Sequence, residues 1–173
     1  MKIRHGVTCA ILLCLASAAP QAKAAEMALF DRLAGTWDVG YDIYDKDGKV
    51  RPYHGQVMYS RILDGAALQE IWTSDAHDKQ PQPYSTTISF LDSKRQRWTE
   101  VWVYPAKGYT SILSGGEAHG AIVLTGRDTD GTIQRTTMQD IQADSFICRF
   151  ESSSDEGKTW RLVGVNHMHL HGT

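Results

Sequence analysis

The sequence predicts an all-β protein, a single antiparallel β-barrel of about 8–10 strands preceded by a short N-terminal helix. Three observations lead there. After residue 34, apolar and polar residues alternate in short runs, the period at which a strand sends successive side chains to opposite faces. Gly, Asp and Ser break these runs at intervals of about ten residues, the spacing of an antiparallel sandwich or barrel. Only one stretch after the leader, residues 25–33, carries the spacing of an amphipathic helix. A closed barrel is favoured over an open sandwich because closure removes exposed strand edges.

The first two dozen residues read as an export signal. Lys2, Arg4 and His5 form a short basic region, residues 7–18 an apolar core, and Ala22-Lys23-Ala24 a small-x-small cleavage site. The apolar run is shorter than the ~20 residues a membrane-crossing helix needs. Cys9 and Cys14 follow Thr8 and Leu13, and so lack the small preceding residue of a lipoprotein signal. The expected product is a single domain, residues 25–173, periplasmic or secreted and without a membrane anchor.

The first strand, expected over 35–44, carries Trp37, Val39, Tyr41 and Ile43 on one face and ends at the turn Asp45-Lys46-Asp47-Gly48. Strands at 55–62 and 66–73 follow, separated by Asp64-Gly65; a polar loop with His77 then leads to a strand at 84–91. Further strands are expected at 97–104, 109–114, 118–125, 132–138, 145–151 and 159–171. Gly115-Gly116 is expected to form one of the hairpin turns between them.

Cleavage after residue 24 removes Lys2, Arg4 and Lys23 and no acid, leaving 15 basic against 20 acidic residues. A net charge near −5 argues against nucleic acid, which is bound through clustered Lys and Arg. It argues equally against a polybasic membrane tether. Cys148 is then the one remaining cysteine, so no intramolecular disulfide forms. Flanked at two-residue spacing by Phe146 and Phe150, it reads as a buried, inert thiol.

Two constellations carry chemistry. The last strand ends in His167, His169 and His171, three imidazoles on one face. Residues two apart on a face have Cβ atoms ~6.5–7 Å apart, close enough to share an ion with bonds of ~2.0–2.1 Å; residues four apart do not. At most two of the three therefore serve one metal, zinc or copper, with a further ligand from His119, His54, His77, Glu70, Glu100 or Glu117. The alternatives are a solvated strand end and a metal-free cavity lining. Met168 and Leu170 lie opposite the histidines, but Val163 and Val165 share their face, so the pattern leaves the facing open.

The second constellation is Trp98, Glu100, Trp102 and Tyr104, one face of the strand at 97–104. Turned inward, a carboxylate among aromatic rings is desolvated and its pKa raised, which suits a general acid or base and makes Glu100 the catalytic candidate. The same face suits a cationic or hydroxylated ligand against stacked rings. An aromatic core in which Glu100 pairs with Arg135 is the plainer reading. Trp37, Tyr41, Tyr59 and Trp72 extend the lining.

Gly35-Thr36-Trp37, directly after a short helix, resembles the opening of the first strand in the calycin superfamily, the lipocalins and their relatives. Residues 61–70 (Arg-Ile-Leu-Asp-Gly-Ala-Ala-Leu-Gln-Glu), with Leu91-Asp92 and Trp98, are similar to bacterial proteins catalogued as domain of unknown function 1579. The resemblance spans nearly the whole chain after the leader. It implies a lipocalin-like barrel with an aromatic-lined cavity, and an arginine packed across Trp37, with Arg161 or Arg149 as candidates. The chain is also similar to the nitrobindins, ten-strand barrels that hold heme through a late histidine; that likeness implies heme at His167 or His169.

The expected function is therefore an exported small-molecule-binding protein with a partly apolar ligand among Trp37, Tyr41, Tyr59, Trp72, Trp98, Glu100, Trp102 and Tyr104. The alternative is a metal- or heme-dependent protein, hydrolase, lyase or heme carrier, using His167, His169, His171 and His119. An isomerase working through Glu100 is a further enzyme reading. Whether two copies associate as a homodimer stays open.

Overall fold

Strand β1 (Gly35–Tyr44) shows how the alternation becomes a barrel: Trp37, Val39 and Tyr41 are buried, while Thr36, Asp38, Gly40 and Asp42 lie between them on the other face. Nine further strands follow in a computed structural model that describes residues 29–75 and 82–172. They are β2 (Val50–Ile62), β3 (Ala67–Ser74), β4 (Gln82–Asp92), β5 (Arg97–Tyr104), β6 (Tyr109–Ala118), β7 (Ala121–Asp128), β8 (Ile133–Gln139), β9 (Ser145–Ser153) and β10 (Arg161–Leu170). Each pairs antiparallel with the next, and β1 pairs with β10 as well as β2, so the sheet closes on itself. The expected export segment, the start of the expected helix and His77 lie outside the described residues; residues 29–31 form one helical turn.

β1 and β5 have the bounds the alternation predicts. The β6–β7 hairpin does not. Gly115-Gly116 is strand, not turn, and the chain reverses at His119 and Gly120, both with positive φ (54° and 77°). The physical reason is close approach of the neighbouring backbone: a Cβ on Gly115 would stand 2.0 Å from the Val123 carbonyl oxygen. Gly126 on β7 repeats the device, its missing Cβ falling 1.9 Å from the Ile112 carbonyl oxygen.

One end of the barrel is plugged with apolar rings. Phe30 stacks on Trp98 with centroids 3.6 Å apart, and Phe146 meets Trp37 edge-on at 4.6 Å. The Trp37 indole Nε1 donates to the Leu33 carbonyl at 2.8 Å, tying the segment before β1 to its first tryptophan. Leu33 and Leu124 are fully buried beside them. Burying rings and branched chains of this size stabilises by roughly 1.5–3 kcal/mol each. The arginine expected across Trp37 is not there. Arg161 is exposed and reaches Ser152 Oγ at 3.4 Å, and Arg149 lies 3.9 Å from Glu151. Phe146 takes that place because β9 turns Phe146, Cys148 and Phe150 inward.

The glycine requirement is testable by thermal unfolding. Gly126→Ala forces the two backbones apart and lowers stability by roughly 2–4 kcal/mol. Gly116→Ala, whose Cβ meets nothing within 4 Å, leaves the melting temperature nearly unchanged.

Candidate functional site

Above the plug the interior opens into a cavity of about 480 Å³. Three adjacent strands shape it. On β4 the inward residues are Ser85, Thr87 and Ser89, all small, whereas the flanking strands turn in Glu70 and Trp72 from β3 and Glu100 and Trp102 from β5. In register, Glu70 stands opposite Thr87, which stands opposite Trp102; Glu100 stands opposite Ser89. Short hydroxyl side chains between two strands of long ones leave the room that the larger side chains enclose. The mouth is ringed by tyrosines: Tyr84 and Tyr104 meet at 5.4 Å, and Trp102 meets Tyr109 at 5.2 Å. Lys107, in the short 3₁₀ turn after β5, lies exposed at this end.

Of the residues expected to line a ligand site, Tyr41, Tyr59, Trp72, Glu100, Trp102 and Tyr104 line this cavity. Trp37 and Trp98 belong instead to the plug beneath it, because the helical turn brings Phe30 onto Trp98. The expected pairing of Glu100 with Arg135 is corrected as well. Arg135 binds Glu151 through both Nε and Nη2 at 2.8 Å, and its guanidinium lies 4.1 Å over the Trp160 ring. Parity explains this: Arg135 alternates with Gln134 and Thr136, which line the cavity, so Arg135 faces away from it.

Glu100 is thus left in the interior with a second carboxyl, Glu70. The Trp72 indole Nε1 donates to Glu70 Oε2 at 3.0 Å and approaches Thr87 Oγ1 at 3.3 Å. Glu70 Oε1, Glu100 Oε2 and the Tyr59 hydroxyl are buried without hydrogen-bond partners. Loss of water pushes the Glu100 carboxyl up to about 7. Burial first, and then the nearby Glu100, hold Glu70 well above the usual carboxylate range. Cys148 lines the same space, and burial with the two glutamates beside it keeps its thiol protonated. Sequence reasoning placed Glu70 only as a spare metal partner. The signal for its role was present: Glu70-Ile71-Trp72 and Glu100-Val101-Trp102 repeat one Glu-x-Trp pattern on two inward-facing strand segments.

The terminal histidines lie on the outer wall. His167 Nε2 is 3.4 Å from Asp42 Oδ2, His171 Nδ1 is 3.0 Å from Asp38 Oδ2, and His169 is exposed opposite Asp38 on β1. A hydrogen bond from Gln56, then one from His171, holds the Asp38 carboxyl below its ordinary range. His119 sits in the β6–β7 turn, separated from β10 by β8 and β9. Among the described residues no three His, Cys, Asp or Glu side chains converge as a metal site.

The buried carboxyls make stability depend on pH. Unfolded, both titrate near 4.3, whereas folded Glu100 keeps its proton to about 7 and burial holds Glu70 well above the usual carboxylate range. The folded state binds more protons across this window, so their contribution to stability is full below about pH 4 and falls as pH rises through 7. Urea midpoints measured from pH 5 to 8 are expected to decline less steeply in the Glu70→Gln/Glu100→Gln variant than in the parent. Equal slopes would contradict this assignment.

No protein family and no curated protein matches the sequence, so the likeness to domain of unknown function 1579 remains a resemblance. Solved structures do match. Rv2717c from M. tuberculosis is similar with a TM-score of 0.61 and 14% identity, over 84% of this chain and 96% of that one. The S-type phycobiliprotein lyase CPES from Guillardia theta is similar with a TM-score of 0.57 and 14% identity, over 89% and 99%. At that identity the likeness bears on the fold alone, a single closed ten-strand antiparallel barrel.

Proposed function

We propose that the chain is an exported protein that holds one small, partly apolar molecule inside its barrel. The observation that carries this reading is the cavity of about 480 Å³, walled by Tyr41, Trp72, Trp102 and Tyr104 and carrying a few polar groups at depth. Its volume falls within the range of sites that enclose drug-sized ligands, and that mixture of lining is typical of them. Export rests on the basic, apolar and small-residue sequence of residues 2–24. The Guillardia theta barrel is a phycobiliprotein lyase, so a barrel of this fold also carries an enzyme. A second reading, acid–base catalysis on the bound molecule, is favoured by one observation: Glu100 borders the cavity with a carboxyl that changes charge near neutrality.

Titration with neutral apolar probes tests the binding reading. Saturable one-to-one quenching of tryptophan fluorescence is expected. Trp102→Ala weakens it by about 3–10-fold through the lost ring contact, whereas Ile112→Ala on the outer wall leaves it unchanged. Absence of saturable quenching across a varied probe set would overturn the reading.

A further inference from the structure

Two carboxyl groups border the cavity at depth, and among the described residues no cation stands beside them there. Glu70 and Glu100 are 2% and 7% exposed, both border the cavity, and each has an oxygen without a partner. The Tyr59 hydroxyl, 3% exposed and also unpartnered, belongs to the same group: Tyr59 stands opposite Glu70 across β2 and β3. Buried carboxylates in proteins are ordinarily paired with a cation or with several donors. Here the donors near Glu70 are the Trp72 indole and the Thr87 and Ser89 hydroxyls, all neutral, and the basic residue of the lining, Lys107, is exposed at the mouth. The nearest sequence candidate for a partner, Arg135, is committed to Glu151 and Trp160 outside.

The ring placement adds a second constraint. Trp72 and Trp102 lie one inward step nearer the mouth than Glu70 and Glu100 on their strands, so the acids form a polar base beneath aromatic walls. A neutral hydrocarbon in this space would leave Glu70 Oε1 and Glu100 Oε2 unsatisfied. An anion would face two acids. A protonated nitrogen attached to an apolar frame satisfies both levels: it donates to the carboxyl oxygens and lies against the indole faces, which attract positive charge.

Building on the binding reading above, we infer that the ligand is an organic base whose positively charged nitrogen seats on Glu70 and Glu100 while its apolar frame lies between Trp72 and Trp102. The two glutamates are binding residues in this assignment, and Tyr59 supplies a further oxygen at the same depth.

Three probes on one ring frame test the charge class: naphthylmethylamine as the cation, naphthalenemethanol as the neutral analogue and naphthoate as the anion, each titrated calorimetrically into the protein at pH 8. The amine is expected to bind about tenfold or more tightly than the alcohol, and naphthoate most weakly. In Glu70→Gln/Glu100→Gln the advantage of the amine over the alcohol disappears, while retained alcohol binding shows that the variant is folded. Glu100→Gln alone, with one acid kept, reduces that advantage in part. An amine bound no better than the alcohol, a preference for naphthoate, or an amine advantage that survives both substitutions overturns the inference and leaves the binding reading standing. Failure of all three probes to bind overturns both.

Discussion

Closure of the sheet is the constraint on which everything else depends. Because β1 pairs with β10 as well as β2, every strand has two neighbours and every second side chain is committed to the interior. What fills that interior is then decided by residue size, strand by strand. Large rings near the first residues of β1 and β5 fill one end, while serine and threonine on β4 leave the other end open. The glycines Gly115 on β6 and Gly126 on β7 belong to the same arrangement, since they let the neighbouring backbone approach where a Cβ would collide. No separate device forms the cavity; it is the volume left between a ring-filled end and a row of small residues.

Much of this was legible in the sequence, because period-two alternation reports strand and facing together. The inward set Trp98, Glu100, Trp102 and Tyr104 could be read directly, and so could the bounds of β5. Facing stayed open at β10 for an identifiable reason. The register against β9 shifts between Leu162 and Gly164, so strict alternation does not carry across that point. Val163 borders the cavity, whereas His167 and His169, an even number of residues further on, face outward. A bulge leaves no compositional mark by which the alternation of 161–171 could have been corrected. Gly115-Gly116 misled for a related reason: glycine marks a turn and a close approach equally well, and only the position of Val123 tells them apart.

The charge pattern divides cleanly between the two faces of the wall. Outside, acids meet bases in partly exposed pairs such as Asp38 with His171, Arg61 with Asp31 and Arg127 with Glu156. Such pairs contribute little to stability individually because water screens them. Inside, among the described residues, the same carboxyl chemistry stands with no cation beside it at that depth, and loss of solvent rather than ion pairing dominates its behaviour. Composition alone cannot distinguish these situations. The Glu-x-Trp repeat on β3 and β5 can, because it fixes which carboxyls share a face with the cavity rings.

The stacked pair Phe30 and Trp98 has one more consequence. Among the described residues that end is filled, so the barrel is a cup rather than a tube, open at the tyrosine collar. A molecule seated at the depth of the glutamates would pass Tyr84, Tyr104 and Tyr109 on entry and again on exit, so the width of that rim would enter its rate of release as well as the contacts at the base.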